Sequence, residues 1–548
     1  MRRNKRSRAL AIGKPAAALI GVVMLAGCSS VAPAPSQTSS IETVTRSPGG
    51  TAPIESITWN LGSGEPATLD PPNVPTYSAM AVVSSLCDSL LTVDETGGVI
   101  PGLTDVEAET PTRLVFTLRA QASFWDGSPV TTDDIVYSME RTAAPTSYLS
   151  PTFQNVTSIE AVSDEQVVVE LSEPDAAFLP TMAGVGGAVM QRAFGDTAGD
   201  GLGTPATGLM CSGPFILDEW NVGTDLRLVK NEAYWDADRT ARASEVRLTF
   251  VTDTSALTQA LTTGEIDGGW ELPASSIPPL QGIESGELFY GETTTVWSLR
   301  VASPASPLAS NPELRQAFQQ MIDRDAIAEA VFHGAAQPWS TAISPNSWPT
   351  NVRDSTAEAY EAIAAERSYD PERARELVAE AGAEGSEVEL IVASGDETAS
   401  QLAQLVQAQA QAAGLELSIR SLQPLEYAQA MYDPAVRANS DLMLSSSGDV
   451  VQEPLASIRY YYLPDGLYNW DGFSDETVVD LFGAAVTEPD EASRTDLTLQ
   501  IQQRFEDFGA TVAVVNPYQV NFVNERLGGV ITSSAYVNMP SLAFIGAR

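Results

Sequence analysis

Two stretches of this chain read as strand, helix and strand in turn, and they lie more than about 100 residues apart. In the first, residues 245–251 (Glu-Val-Arg-Leu-Thr-Phe-Val) predict a strand and residues 254–263 a helix with Leu257 and Leu261 on one face. Gly264 stops that helix, and Ile266-Asp267 opens the next strand. In the second, residues 388–393 predict a strand that leads into a helix carrying Leu402 and Leu405. Gly414 stops this helix, and residues 415–419 return as a strand. A helix-ending glycine between alternating strands is what a crossover unit requires, because glycine takes the left-handed conformation at low cost. Such units build parallel sheets with helices on their faces. Two of them so far apart predict two α/β cores rather than one sheet, and 548 residues exceed what one core organises. Sheets of this kind take ligands beyond the carboxyl ends of their strands, so a pair of lobes predicts a cleft between them.

Up to about residue 250 the pattern is one of short strands and turns. Residues 113–119 (Arg-Leu-Val-Phe-Thr-Leu-Arg) alternate polar and apolar, and residues 166–171 give a second strand. Gly97-Gly98 and Asp126-Gly127 mark turns, and the glycine-rich run 195–203 reads as a surface loop.

The amino terminus carries an address. Six basic residues precede an apolar run from Ala16 to Leu25, which is too short to remain in a bilayer as a spanning helix. Leu25-Ala26-Gly27-Cys28 follows and resembles the lipobox of bacterial lipoproteins, in which the cysteine thiol receives a diacylglycerol. Residues 1–27 are therefore expected to be a removable signal, with Cys28 anchoring the body to the outer face of the cytoplasmic membrane. Residues 28–53, rich in Ser, Thr, Pro and Gly, are expected to be a flexible tether of roughly 25–30 Å root-mean-square span. Outside the cell, Cys87 and Cys211 form an even pair and are expected to be bridged.

Charge and missing motifs narrow the function. The net charge is −41, and −47 once the six basic residues before Cys28 are gone. A body so acidic is repelled by nucleic acid and by anionic head groups. Its only histidine, His333, cannot assemble a metal cluster and reads as the end of a helix. No nucleophile elbow, HExxH or phosphate-binding loop occurs. Neither catalysis, a cofactor nor a metal is expected.

Several segments resemble, in order, the peptide- and nickel-type solute-binding proteins of ATP-driven importers. Glu65-Pro-Ala-Thr-Leu-Asp-Pro71 and Gly98-Val-Ile-Pro-Gly-Leu103 resemble the family's opening turns. The longest match is Phe116-Thr-Leu-Arg-Ala-Gln-Ala-Ser-Phe-Trp-Asp-Gly-Ser-Pro-Val-Thr-Thr-Asp-Asp-Ile-Val-Tyr-Ser138. Gly213-Pro-Phe, Lys230-Asn-Glu-Ala-Tyr-Trp235, Gly264-Glu-Ile-Asp267 and Tyr369-Asp-Pro-Glu-Arg-Ala-Arg375 continue it. The resemblance implies an α/β, two-lobed periplasmic-binding-protein-like fold (type II, large cluster C form). It also implies an extra subdomain in the first lobe and a hinge of two crossing strands. On this reading residues 54–298 form the first lobe, with the extra subdomain at about 84–205. Residues 299–511 form the second lobe, and residues 512–548 return to the first.

The same resemblance implies a binding site and partners. Family members hold a peptide's α-amino group on an aspartate, and residues 445–454 (Ser-Ser-Ser-Gly-Asp-Val-Val-Gln-Glu-Pro) place Asp449 there. The tryptophan and tyrosine that flank it in the family are replaced by Ser446 and Val450. Capping of the following helix is the other role open to Asp449. Trp270, Trp297, Tyr460, Tyr468 and Trp470 are expected to supply aromatic walls. The implied protein is a monomeric lipoprotein that closes on a ligand, chiefly a peptide, and presents it to membrane permease subunits. An oligosaccharide, an opine or a metal chelate on the same fold is the alternative, and a surface sensor or adhesin without transport is a second.

Overall fold

The strand Ile54–Asn60 runs parallel to its neighbours on both sides, Ala243–Thr249 and Gly268–Gly269. The helix Thr254–Thr263 joins those two neighbours across it. Asp253 caps the helix by accepting from the Ala256 N–H at 2.8 Å, and Gly264 closes it at φ +74°. Ile57 and Trp59 of the central strand are fully buried, as the central position of a covered parallel sheet demands. These features belong to a computed structural model that describes residues 41–119 and 122–548. The expected signal segment and Cys28 lie outside the described residues.

The first lobe completes this sheet to seven strands. Their order is Gly286–Gly291, Gln519–Asn524, Gly268–Gly269, Ile54–Asn60, Ala243–Thr249, Asp225–Lys230 and Phe215–Asn221. The second lobe has six, in the order Ala336–Pro338, Thr511–Pro517, Val296–Val301, Leu442–Ser447, Glu387–Ala393 and Glu416–Leu422. There the helix Glu397–Ala412 connects Glu387–Ala393 to the parallel Glu416–Leu422, and its Leu402, Ala403 and Val406 are wholly buried. Both crossover units thus form as the sequence predicts, one in each sheet.

A separate antiparallel sheet, Thr104–Thr110, Arg113–Leu118, Gln166–Leu171 and Val156–Ala161, forms the additional unit of the first lobe. The helix Thr132–Ala143 packs beside it, opened by a reciprocal capping box between Thr131 and Asp134. Cys87 and Cys211 are bridged, tying the end of the helix Tyr77–Leu86 to the approach to Phe215–Asn221.

Three expectations need correction. The chain leaves the first sheet at residues 292–295 and returns at 517–519, because Val296–Val301 and Thr511–Pro517 pair wholly within the second sheet. The boundaries expected at residues 298 and 511 therefore move several residues towards the connections. The tether expected to reach residue 53 ends earlier. Val44 donates to the Tyr290 carbonyl at 2.8 Å, Ser47 to Val530 at 2.8 Å, and Ala547 to Ala52 at 2.9 Å. Composition missed this because the attachment is made by backbone, with Gly50 at φ +71° packed against the backbone of Gly528. Finally, the run 195–203 is no plain loop, since Arg192–Ala198 is helical and followed by a 3-10 turn.

The bridge closes 124 residues of sequence, so its loss restores a large denatured-state entropy, worth about 5 kcal/mol at most in the chain-entropy model. A Cys87→Ser, Cys211→Ser double variant is expected to unfold at clearly lower urea than the oxidised parent. An unchanged midpoint would show that the bridge adds no stability.

Candidate functional site

The carboxyl ends of strands from both sheets face one cavity of about 410 Å³. From the first lobe, Gly268–Gly269 leads to Glu271, with Ser63, Tyr77 and Tyr536 beside it. From the second lobe, Leu442–Ser447 leads to Asp449, and Trp297 stands on the neighbouring strand. Gly448 separates strand from aspartate for a steric reason. A Cβ there would sit 2.9 Å from Thr294 Oγ1 and from the Thr295 backbone. This close approach lets the Thr294 hydroxyl donate to the Asp449 carbonyl at 2.7 Å.

Asp449 lies where this cavity meets a second of about 170 Å³ and a third of about 20 Å³. It is 8% exposed, and its carboxylate accepts a hydrogen bond from the Ser457 hydroxyl. No Lys, Arg or His among the described residues pairs with it. Burial pushes its carboxyl up to about 6. The helix that follows, Pro454–Tyr461, is capped by Glu453, which accepts from the Leu455 N–H at 3.1 Å. Asp449 also bonds to Ser457 in the first turn of that helix, but it meets no basic side chain among the described residues and its charge faces the cavity without a counter-ion.

The main cavity carries carboxylates of Glu271, Asp396 and Asp449 and, among the described residues, no basic side chain. Asp396 is partly engaged as the cap of Glu397–Ala412, accepting from Ala399 at 2.9 Å. Burial raises the Glu271 carboxyl, and burial together with the Glu271 and Asp449 charges pushes the Tyr77 phenol up to about 12. The lobes meet around the cavity through Gln452 Nε2 to the Thr96 carbonyl (2.7 Å), Ser275 Oγ to Glu397 (3.1 Å) and Arg459 to Asp175 (3.2 Å).

Of the aromatic residues expected as walls, only Trp297 lines the main cavity. Trp270 lies behind the wall. It is 2% exposed, stacks on Tyr536 at 4.8 Å and donates its indole N–H to the Ile531 carbonyl at 2.8 Å. Its position past a strand end was legible, but the strand is only two residues long and delivers Glu271, not Trp270, to the cleft. Tyr460, Tyr468 and Trp470 form a cluster around Arg300 in the second lobe and line none of the three cavities. From that segment Tyr461 and Tyr462 reach the smallest cavity instead. The residues that sequence reasoning missed are Tyr77, Glu271 and Tyr536. Only Glu271 left a trace, as the neighbour of a tryptophan already singled out. His333 ends the helix Arg324–Phe332 at φ +52°, as expected.

The model of bacterial extracellular solute-binding proteins, family 5 (middle region), matches residues 98–469. Glutathione-binding protein GsiB of Escherichia coli O1:K1 / APEC is 24% identical over 442 residues, covering 78% of this chain and 83% of that protein. Among solved structures, DppA from Helicobacter pylori in complex with the peptide STSA superposes with a TM-score of 0.74 at 18% identity, covering 90% of this chain and 98% of its own. AgaA from A. tumefaciens R10, in complex with agropinic acid, gives 0.74 at 23% identity, with the same coverages. At these identities the solved structures establish a shared two-lobed fold.

The raised Asp449 carboxyl fixes a pH dependence. The unfolded chain releases this proton near pH 4 and the native state near 6, so stability falls as pH rises through that window. Asp449→Asn removes the charged form and is expected to stabilise the ligand-free protein at pH 7 by up to about 3 kcal/mol, read as a higher urea midpoint, and to change little at pH 4. Equal effects at both pH values would show that Asp449 does not carry this dependence.

Proposed function

Because the chain belongs to family 5 of the bacterial extracellular solute-binding proteins, we propose that it captures a peptide by its free α-amino group and delivers it to an ATP-driven import permease. The observation that supports this most is the buried, unpaired carboxylate of Asp449 at the junction of the cavities. A carboxylate held out of water needs a cation with hydrogens to donate, and an ammonium supplies both. An opine or a metal chelate bearing carboxylates fits the same cavity less well, since such a ligand would meet Glu271 and Asp449 with no basic side chain to offset them.

Capture works through closure. Each lobe contributes groups to the cavity, so a ligand that touches both favours the closed form by its differential contacts. The role is binding and presentation, with no bond made or broken. Family members act outside the cytoplasm, and no helix of the described residues is long and apolar enough to cross a membrane. The lipobox at residues 25–28 supports attachment of Cys28 to the outer face of the membrane.

A tripeptide with a free amino terminus is expected to raise the melting temperature of the oxidised body, whereas its N-acetyl form, lacking the charge, should bind about 100-fold more weakly or worse. Equal binding of the two forms would remove the amine anchor. Cys28→Ala is expected to shift the protein from the membrane fraction to the soluble exported fraction. Retention of the variant in membranes would remove the lipid anchor.

A further inference from the structure

The cleft holds a second, partly buried carboxylate that a single ammonium on Asp449 leaves unanswered. Glu271 faces the main cavity from the first lobe, and neither Lys, Arg nor His among the described residues pairs with it. Its backbone is held at φ +56°, a conformation that side-chain-bearing residues rarely adopt and that persists only where the surroundings dictate it. They do so here. On one side the Trp270 indole is bonded to Ile531, and on the other the Leu272 N–H donates to the Val520 carbonyl at 2.9 Å. Gly62 approaches so closely that a Cβ there would stand 3.2 Å from Glu271 Cβ. The backbone from which the carboxylate projects is thus fixed at the cleft.

Independent of the carboxylates, other polar atoms around the cavities also lack partners. In the adjoining cavity Gln452 Oε1 and Asn538 Oδ1 are buried acceptors without donors, and Arg353 Nε is a buried donor without an acceptor. Within the main cavity the ionisable carboxyls face no basic side chain among the described residues, so the complement it lacks carries donors and positive charge.

We propose that Glu271 is a second cation-binding group of the cleft, so that the solute for which the site is built carries two positive charges. Among peptides this selects those with a Lys- or Arg-like side chain near the amino terminus. The ammonium lies on Asp449 in the second lobe and the side-chain cation on Glu271 in the first, and the ligand bridges the lobes through charges at both ends. This assignment rests on reading the cleft as a peptide site, and its test separates the two.

Titration calorimetry of the oxidised body is run with Ala-Ala-Ala, Ala-Lys-Ala, Lys-Ala-Ala and Ala-Glu-Ala, and with 1,5-diaminopentane. At least one lysine peptide is expected to bind about tenfold or more tightly than Ala-Ala-Ala, and the glutamate peptide more weakly. In Glu271→Gln the lysine-to-alanine ratio should fall close to one, while in Glu271→Asp, which keeps the charge but retracts it, part of the ratio should remain. The wild-type panel decides even if a variant folds poorly. Equal binding of lysine, alanine and glutamate peptides overturns the role of Glu271 and leaves the amine anchor standing. Binding of the diamine but of no peptide, lost in Glu271→Gln, upholds the two-cation site and overturns the peptide reading. Failure of every compound to bind overturns the two-cation assignment, and so does a lysine preference that survives in Glu271→Gln.

Discussion

The two connections between the lobes are clasped to each other, and the geometry of the cleft follows from that clasp. Asn516 donates from Nδ2 to the Thr293 carbonyl at 3.1 Å and also to Thr295, while the Thr293 hydroxyl donates to the Pro517 carbonyl at 2.7 Å. Asn346 adds a second donor to the Thr293 carbonyl at 3.0 Å. In a buried crossing these bonds have no water to replace them, and a carbonyl left bare there would cost about 1–3 kcal/mol. One residue further on, Thr294 holds the carbonyl of Asp449. The hinge and the ligand-facing loop are therefore one hydrogen-bonded unit, and a change in the angle between the lobes reaches Asp449 directly.

Unpaired carboxylates on both walls set which state the empty protein prefers. With the lobes apart, water solvates Asp449 and Glu271. Closing over an empty cleft strips that water, a penalty visible in the rise of the Asp449 carboxyl to about 6 and of Glu271 above its ordinary range. The contacts made across the cleft are few. Ion pairs of the Arg459–Asp175 kind are worth about 0–1 kcal/mol when exposed, and desolvation offsets much of the attraction when they are not. Closure without a cation is thus opposed by the same groups that closure with one rewards, which is the differential interaction that a capture protein requires.

The sequence carried the architecture further than the site. The two crossover units were legible because each combines a leucine stripe with a glycine stop, and both signals are local. Cys87 and Cys211 were legible from number and compartment alone. The wall of the cleft was not legible in the same way, because it is assembled from residues 63, 77, 271, 297, 449 and 536, which no local pattern connects. Aromatic residues were the natural candidates, but Trp270 and Trp470 are each 2% exposed and serve as packing. The carboxylates were hidden by composition, since 71 acidic residues make any single one unremarked. What distinguishes Glu271 is its backbone conformation, and what distinguishes Asp449 is the absence of a basic partner among the described residues. Neither property is written in the order of residues.

The cluster around Arg300 shows how that absence is maintained. Arg300 is buried on the strand Val296–Val301, next to the clasp, and lines the smallest cavity together with Asp449. A guanidinium that reached Asp449 would neutralise it and leave a ligand ammonium nothing to bind. Instead its charge lies between the rings of Tyr461 at 4.5 Å and Trp470 at 4.3 Å and donates to the Tyr468 carbonyl. Desolvated contacts of this kind are worth about 2 kcal/mol or more, enough to hold an arginine away from a nearby carboxylate when geometry favours the rings. Tyr468 and Trp470, expected as walls of the site, thus act one layer behind it. They hold Arg300 in place, and the charge on Asp449 stays available to the solute.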